Sequence, residues 1–269
     1  MRQRFSPPAY RSTNLPPVVI TRPAAQAAEL AQQIAARGRQ PVIFPLLEIL
    51  PLNDSAPLQA ALAQLDRYAL VVFVSPNAID AAFRYLSHWP QQVAIGIVGE
   101  GSRIALARHA VNGQNATIFS PADPAKTDSE GLLQALDLPA LRDRQVLIVR
   151  GESGRELLAD ALLAAGIKVV PVAAYRRQAP ALTTTVEAQL RQLLNTENAW
   201  IVTSSEALRI LMTLVQQVES SAGVAKIQQQ QIVVPHARIA ETAHALGFTK
   251  ITLTGSGDER LLDALQFPL

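Results

Sequence analysis

Short apolar runs rich in β-branched residues recur along the chain, and each is followed by a small or polar residue and then by helix-forming sequence. Uninterrupted apolar runs of this length are typical of strands in a parallel sheet whose two faces are both covered. Strands that alternate with helices predict open α/β sheets. The six runs are 18–20, 71–74, 94–98, 146–149, 200–202 and 232–234.

The stretch after the first run has the spacing of an amphipathic helix. Between Ala27 and Ala35, apolar residues recur at i, i+3, i+4, i+7 and i+8, which places them on one helix face. Gly38 follows, and a glycine there commonly ends a helix because it adopts the left-handed conformation without strain. The pattern therefore predicts a strand, a helix and a glycine stop.

The same unit recurs about half a chain later, and further units follow it in the same order. Arg22 and Gly38 correspond to Arg150 and Gly166. The later correspondences pair Ser75 with Ser204, Arg103 with Arg238, and Glu130 with Glu259. Collinear matches of this kind predict an internal duplication of an α/β domain of roughly 120–130 residues, a usual domain size.

Two proline-bounded segments, 44–52 and 171–180, interrupt the alternation at equivalent places. One interpretation is a pair of linkers between two lobes, and the other is two further edge strands. The sequence leaves both interpretations open.

Composition narrows the function classes. The 269 residues carry a formal charge of +2 and no cysteine, which excludes disulfides, a thiolate nucleophile and cysteine metal sites. Residues 1–17 hold three arginines and no acidic residue, so the remainder is near neutral and lacks the basic stripe of nucleic-acid-binding proteins. No apolar run is long enough to span a membrane. We expect residues 1–17 to form a flexible tail, without the apolar core of a signal peptide, on a cytoplasmic protein.

Familiar cofactor and catalytic motifs are missing. Gly99 and Gly101 begin a dinucleotide fingerprint, but Ile104 stands where its third glycine belongs. The chain also lacks a P-loop, the H-E-x-x-H zinc motif and the G-x-S-x-G serine motif. We therefore expect no metal site and no cofactor.

Candidate ligand contacts lie just after the predicted strands, because ligands of open α/β sheets bind beyond the carboxyl ends of the strands. Helix starts there present unpaired N–H groups that bind carboxylates or phosphates, although serine and threonine at such places more often simply cap the helix. Two such edges facing each other would form a cleft lined with anion sites. The candidates are Thr21, Arg22, Ser75, Asn77, Gly99, Ser102, Ser129, Arg150, Gly151, Thr203, Ser204, Ser205, His236 and Arg238.

Three arginines and one tyrosine carry the most specific hypotheses. Arg22 and Arg150 directly follow predicted strands, and each is expected either to clamp a ligand carboxylate or to pair with a neighbouring acid. Arg238 lies in the first turn of a predicted helix, where the dipole disfavours cations, and this favours a role with anions. Tyr175 lies in the second proline-bounded segment, either as a proton donor facing a cleft or as a packing residue.

Taken in order, nine fragments make the chain from residue 18 onward similar to the uroporphyrinogen-III synthase family. The fragments are VITRP, FPLLEI, FVSPNAI, IVGEGSRIAL, TDSEGLL, VRGESGRELLADALLAAG, AAYRR, VTSSEAL and RIAETAHALGF. The resemblance implies two parallel-sheet α/β lobes joined by a two-stranded linker. The first lobe would comprise 18–46 and 180–269, the second 50–172, and the linkers 44–52 and 171–180.

The resemblance also implies an activity. The family cyclises hydroxymethylbilane, a linear tetrapyrrole with many carboxylates, to uroporphyrinogen III, and it inverts ring D through a spiro-pyrrolenine intermediate without cofactor or metal. Tyr175, in AAYRR, corresponds to the family's linker tyrosine and is the candidate acid for departure of the substrate hydroxyl. Thr203, Ser204 and Ser205 correspond to a ligand-facing loop. At the position of His236, members of the family often carry residues with a hydroxyl group. His236 is therefore the candidate that replaces their contacts with the substrate. A transient contact with the preceding enzyme of the pathway is also expected.

Other hypotheses remain open at the level of sequence. A non-catalytic bilobed protein that binds small anions would have the same lobes and linkers, but the lack of an export signal disfavours it. A dinucleotide-dependent oxidoreductase is disfavoured by Ile104. A regulator that keeps the fold without activity is a further alternative. Turnover of hydroxymethylbilane separates the synthase from all three.

Overall fold

The computed structural model describes residues 15–123, 128–154 and 156–265, and it confirms an α/β fold with two largely parallel sheets. Most of the predicted tail, 1–14, lies outside the described residues. The elements in chain order are β1 (Val18–Ile20), α1 (Ala24–Ala36), β2 (Pro41–Ile43), β3 (Glu48–Leu50), α2 (Ala56–Leu62), a 3-10 turn (Leu65–Arg67), β4 (Leu70–Phe73), α3 (Pro76–Ala82), β5 (Ala94–Ile97), α4 (Glu100–Arg108), β6 (Ile118–Phe119), α5 (Ser129–Ala135), α6 (Leu138–Leu141), β7 (Gln145–Gly151), α7 (Leu157–Ala164), β8 (Lys168–Gln178), α8 (Thr184–Leu194), β9 (Ala199–Ile201), α9 (Ser205–Gln228, kinked at Ser220), β10 (Gln231–Val234), α10 (Ala237–Ala245), β11 (Lys250–Leu253) and α11 (Asp258–Asp263).

The chain divides into two compact units. Unit 1 consists of the described residues up to 46 and from 180 onward, and unit 2 consists of those from 47 to 179. The unit 1 sheet has the order β2-β1-β9-β10-β11, and all its strands are parallel. The unit 2 sheet has the order β3-β8-β7-β4-β5-β6, and β3 runs antiparallel to its neighbour. The parallel strands of unit 2 have the order β8-β7-β4-β5-β6. This order matches that of unit 1 when β7 and β8 correspond to β1 and β2, and β4, β5 and β6 correspond to β9, β10 and β11.

Both faces of the central strands are buried, as the continuous apolar runs predict. In β4 of unit 2, Val71 and Phe73 pack into one apolar cluster, whereas Leu70 and Val72 pack into another on the opposite face. Full burial of an apolar side chain of this size stabilises the fold by about 1.5–3 kcal/mol. The strand interiors therefore serve stability, and polar chemistry is left to the strand ends.

The first helix forms as its spacing predicts. Ala27, Leu30 and Ile34 are buried in the unit 1 core on one face of α1. The chain then turns at Gly38, which has a φ of 81°, and Gly166 adopts a φ of 77° after α7. Because this left-handed region suits glycine, the two predicted helix stops are confirmed.

The two proline-bounded segments contain strands of the unit 2 sheet. β8 first runs parallel to β7, and its last residues then pair antiparallel with β3, with Glu48 opposite Gln178 and Leu50 opposite Arg176. The chain passes between the units at 46–47 and at 179–180.

Arg39 holds the segment that precedes β1 in place. This side chain is 4% exposed, and its Nε donates to the carbonyl of Pro16 over 3.1 Å. The next carbonyl, that of Pro17, accepts from the N–H of Ala199 at 2.9 Å. Burial lowers the pKa of the Arg39 guanidinium, because desolvation disfavours its charged form. The hydrogen bond to Pro16 offsets part of this cost and fixes the segment that precedes β1 against the sheet.

Arg39→Ala is expected to lower the free energy of unfolding by about 2 kcal/mol, since it removes a buried hydrogen bond from a charged donor. Urea denaturation followed by circular dichroism measures the change. Arg84→Ala, at an exposed position of unit 2, is the control and should change it by less than about 0.5 kcal/mol. Equal effects of the two substitutions would contradict the anchoring role of Arg39.

Candidate functional site

The strand order of each sheet marks one place where a ligand crevice is expected. In unit 1, β1 and β9 are neighbours. The strand that follows β1 in the chain, β2, is added on one side of this pair, and the strand that follows β9, β10, is added on the other side. In unit 2 the same holds for β7 and β4. In open parallel sheets, ligands bind beyond the carboxyl ends of the strands at such a reversal. The predicted residues Arg22 and Ser204 follow the unit 1 pair, and Ser75 follows β4 of the unit 2 pair. Arg150, which the sequence placed just after its strand, is instead the second-last residue of β7, because that strand extends two residues beyond the apolar run.

In unit 2, the structure joins two of the predicted residues by a hydrogen bond. The hydroxyls of Tyr175 and Ser75 lie 3.1 Å apart. Ser75 is also the N-cap of α3 and accepts from the N–H of Ala78. Tyr175 is 6% exposed and belongs to the unit 2 core. The tyrosine is thus a buried strand residue beside the carboxyl end of β4, rather than an exposed residue of a hinge.

A β-bulge and a glycine place the tyrosine ring there. Arg150 pairs with Ala173 and Gly151 with Tyr175, so Ala174 is the extra residue in β8. A bulge redirects the side chain that follows it, and Ala174 and Tyr175 are accordingly both buried. A Cβ on Gly151 would lie 3.1 Å from Cζ of the Tyr175 ring. The ring therefore packs over β7 at the one residue of that strand end that has no side chain.

The two repeat-equivalent arginines are ion-paired within their own units. Arg150 Nη1 lies 2.7 Å from a carboxylate oxygen of Glu156, and Arg22 Nη1 lies 2.7 Å from one of Asp258. The Arg150 side chain is 11% exposed while that of Glu156 is 60% exposed. The hypothesis of a neighbouring acid therefore describes both arginines in this structure, and the acids are their more accessible partners.

Two candidates prove to be buried structural contacts. The hydroxyl of Thr21 donates to the carbonyl of Ile201 in the adjacent strand, and Ser102 is buried inside α4. Sequence reasoning placed them at strand ends but could not fix which way their side chains point. Because their side chains face the protein interior, we leave both out of the substrate contacts.

The remaining unit 2 candidates lie at helix starts. Asn77 is half-buried in the first turn of α3, and Ser129 is half-buried at the first position of α5. Gly99 precedes α4 in an extended conformation. Asn77 and Gly99 bring backbone N–H groups to the edge where β4 and β5 end, whereas Ser129 follows β6.

Unit 1 presents a second group of hydroxyls. Ser204 caps α9 and accepts from the N–H groups of Glu206 and Ala207. Ser205 is buried and accepts from the hydroxyl of Thr242 at 3.0 Å. Thr203 is half-buried between β9 and this cap. Ser204 thus mainly stabilises the helix start, and both Thr203 and Ser204 are less enclosed than Ser205.

His236 and Arg238 lie beside this group at the start of α10. His236 is half-buried, and its Nε2 lies 3.5 Å from the hydroxyl of Ser256, while Arg238 is exposed in the first turn. Sequence reasoning missed Asp258 and Glu156, and it placed Ser256 at a strand end without including it among the candidate contacts. Each of these is an acidic or polar residue near a helix start, which is visible in the sequence. Without the sheet order, however, the sequence could not show which of them pairs with Arg22, Arg150 or His236.

Two open grooves lie elsewhere in unit 2. One, of about 510 Å³, is lined by residues including Leu62, Asp66 and His88, and another, of about 530 Å³, by residues including Gln91 and Asn115. Both involve the loops that precede β4, β5 and β6, and the second is also lined by Arg103, the repeat equivalent of Arg238. Strand amino ends lack the helix N-termini that bind anions, so we place no function there.

Within the described ranges, no group of three histidine, aspartate or glutamate side chains is arranged to hold a metal ion. In the part of the chain that the structure describes, no helix is both long enough and apolar enough to cross a bilayer.

Comparisons with known proteins agree along nearly the whole chain. The family model described as uroporphyrinogen-III synthase HemD matches residues 28–255. Uroporphyrinogen-III synthase of Escherichia coli K12 is 31% identical over 254 residues, which cover 93% of this chain and 99% of that protein. The synthase of Salmonella typhimurium LT2 is 32% identical over the same shares.

Solved structures show the same fold. The uroporphyrinogen-III synthetase of Helicobacter pylori 26695 superposes with a TM-score of 0.59 at 14% identity, covering 93% of this chain and 97% of that one. A mutant uroporphyrinogen III synthase of the extreme thermophile Thermus thermophilus superposes with a TM-score of 0.57 at 14% identity, covering 92% and 96%.

Gly151→Ala tests the close packing of Tyr175 over β7. The added methyl would meet the ring, so we expect the free energy of unfolding to fall by about 1–3 kcal/mol, as overpacking does. Gly113→Ala is the matched control, because a Cβ there meets nothing within 4 Å. Urea denaturation of both variants gives the comparison. A Gly151→Ala protein as stable as the Gly113→Ala protein would show that the ring is not confined.

Proposed function

This chain belongs to the uroporphyrinogen-III synthase family, and from that membership we propose how its residues carry out the reaction. The activity is that of a cyclising lyase: hydroxymethylbilane loses water and closes to uroporphyrinogen III, with ring D inverted, in porphyrin biosynthesis. The observation that carries this conclusion is the match to named synthases over 93% of the chain.

The reaction requires the protein to position the substrate and to stabilise developing charges, and it does not require a nucleophilic side chain. Once the substrate hydroxyl is protonated, the electron pair of the pyrrole nitrogen expels it as water, which leaves an azafulvenium cation. Ring D attacks through its substituted α carbon to give a spiro-pyrrolenine, which fragments and closes at the other α carbon. Uncatalysed closure gives the uninverted isomer. The enzyme must therefore hold the bilane in one conformation and stabilise the charges that develop.

Tyr175 is the acid in this proposal. Its hydroxyl lies at the carboxyl edge of β4, next to Ser75 and beside the end of β7. A phenol that protonates the departing hydroxyl lowers the barrier without a metal. The proton lost when ring D regains its aromatic pyrrole form returns the tyrosine to its starting state, so the reaction releases water and no other group.

Arg22 and Arg150 are the proposed partners of substrate carboxylates. Each holds an acid of its own unit at 2.7 Å, so each guanidinium is already oriented as a carboxylate receptor at a strand end. A substrate carboxylate binds by replacing or joining that acid. Further contacts are proposed at the strand-end positions Asn77, Gly99, Ser129, Gly151, Thr203, Ser204, Ser205, His236 and Arg238.

The internal duplication is proposed on the same basis. The parallel strands of both sheets follow one order, and the paired arginines of the repeat lie at the carboxyl ends of equivalent strands, Arg22 just after β1 and Arg150 at the second-last residue of β7. A duplicated α/β domain whose halves exchanged their first two strands explains both observations. A cytoplasmic location, action without a cofactor and a transient contact with the preceding enzyme of the pathway complete the proposal.

The activity is tested by the isomer composition of the product. The purified protein is given fresh hydroxymethylbilane, the products are oxidised, and the porphyrin isomers are separated by chromatography. Type III should exceed the amount in a protein-free control. Type I alone from a folded protein would contradict the function and favour an anion-binding protein of the same fold.

Tyr175→Phe is expected to lower kcat about 100-fold, the usual contribution of a general acid. The free energy of unfolding should fall by only about 1 kcal/mol, the net value of one hydrogen bond. Steady-state kinetics and urea denaturation of the same sample separate the two effects. A folded variant with unchanged kcat would remove Tyr175 from the acid role.

Arg22→Ala and Arg150→Ala are each expected to raise KM about tenfold while kcat changes little, because they remove binding that ground state and transition state share. Arg191→Ala is the matched control, since Arg191 is also ion-paired but lies on the exposed surface of α8. If KM stayed at the control's value in both variants, the two arginines would be structural.

A further inference from the structure

Ser75 makes two contacts that together define the direction of its hydroxyl. Its Oγ accepts from the N–H of Ala78 at 3.2 Å and lies 3.1 Å from the Tyr175 hydroxyl. A serine hydroxyl has one hydrogen to donate and two lone pairs. The N–H of Ala78 occupies one of these lone pairs, and it also donates to the backbone carbonyl of Ser75 at 3.1 Å.

The bond between Ser75 and Tyr175 can run in either direction, but the acid step selects one. A general acid must direct its own O–H towards the departing group. Tyr175 then cannot donate to Ser75, so Ser75 must donate to the phenol oxygen. After proton transfer the same bond stabilises the negative charge on that oxygen, and bonds to a charged acceptor are the stronger kind.

The residues packed around the Tyr175 ring restrict where its hydroxyl oxygen can lie. The Cβ of a residue at Gly151 would lie within 3.2 Å of the ring and its hydroxyl, and the Ala174 bulge directs the ring into the core. Ser75 is therefore placed on a fixed side of the oxygen.

The equivalent residue of unit 1 gives a contrast. Ser204 also caps a helix after a strand, but its Oγ accepts from two backbone N–H groups, those of Glu206 and Ala207. Both of these bonds are to its own helix, whereas the cap of α3 also reaches a buried tyrosine. The chemistry of the two edges differs although their folding roles are the same.

We infer that Ser75 is a positioning residue for Tyr175 rather than a substrate contact. It donates to the Tyr175 oxygen, directs the tyrosine proton away from itself and towards the departing hydroxyl, and stabilises the oxygen when that proton has left. This inference rests on the proposed function, in which Tyr175 is the acid.

The hydrogen bond itself is tested without activity. The full chain is labelled with 13C at tyrosine Cζ, and the Tyr175 signal is assigned by its loss in Tyr175→Phe. The signal should move in Ser75→Ala, stay near its original position in Ser75→Thr, and stay unmoved in Ser204→Ala, which also lacks a cap. An unmoved signal in Ser75→Ala would overturn the inference.

Kinetics then distinguish positioning from substrate binding. Ser75→Ala should lower kcat about tenfold, the value of one hydrogen bond to a developing charge, with KM changed less than about twofold. Ser75→Thr, which keeps both the hydroxyl and the cap, should restore kcat to within about threefold. Thr183→Ala removes the cap of α8 and should leave both constants unchanged, which excludes a general effect of cap loss.

A double variant separates this inference from the proposed function. In the Tyr175→Phe background, Ser75→Ala should lower kcat no further, because its partner oxygen is already gone. A further tenfold loss, or a raised KM with unchanged kcat in Ser75→Ala alone, would overturn the positioning role while leaving the synthase activity intact. If the unaltered protein formed no type III product, the proposed function would fail, whatever the NMR signal of Tyr175 showed.

Discussion

The two-faced burial of the parallel sheets is the constraint on which the rest of this protein depends. Adjacent residues of β4 point into separate apolar clusters, so a polar side chain within such a strand would be desolvated without a partner. The buried strand β4 accordingly carries only apolar side chains, and the hydroxyl of Ser75 comes after its carboxyl end. Because the strands are parallel, their carboxyl ends meet at one edge of each sheet. The same packing that stabilises the units thus gathers their polar chemistry.

Tyr175 is an exception to that constraint, and the structure shows what permits it. The Ala174 bulge adds one residue to β8 and turns the tyrosine inward, and the missing side chain of Gly151 makes room for the ring. Ser75 satisfies the hydroxyl that burial would otherwise leave unpaired. A polar group buried with one fixed partner is well suited to a reaction that needs a single proton delivered in one direction.

Sequence reasoning succeeded where local pattern decides the structure. The apolar runs became strands, the spacing from Ala27 onward became α1, and Gly38 and Gly166 ended their helices. It failed where tertiary register decides. The inward orientation of Thr21 depends on its alignment with β9, and the pairing of Arg22 with Asp258 joins residues from opposite ends of the chain. The bulge at Ala174 leaves no mark in the sequence, so the sequence could not decide whether Tyr175 packs in the interior or faces a cleft.

We propose that, in each unit, residues at the carboxyl ends of the strands contact the bilane. Hydrogen exchange measured by mass spectrometry, with and without a bilane that lacks the reactive hydroxyl, tests it without relying on turnover. The account predicts slower exchange in peptides that contain residues 75–77 and 150–152 of unit 2 and 203–205 of unit 1. The loops at 87–92 and 112–117, which precede β5 and β6, should exchange at unchanged rates. Protection confined to those two loops would contradict the account.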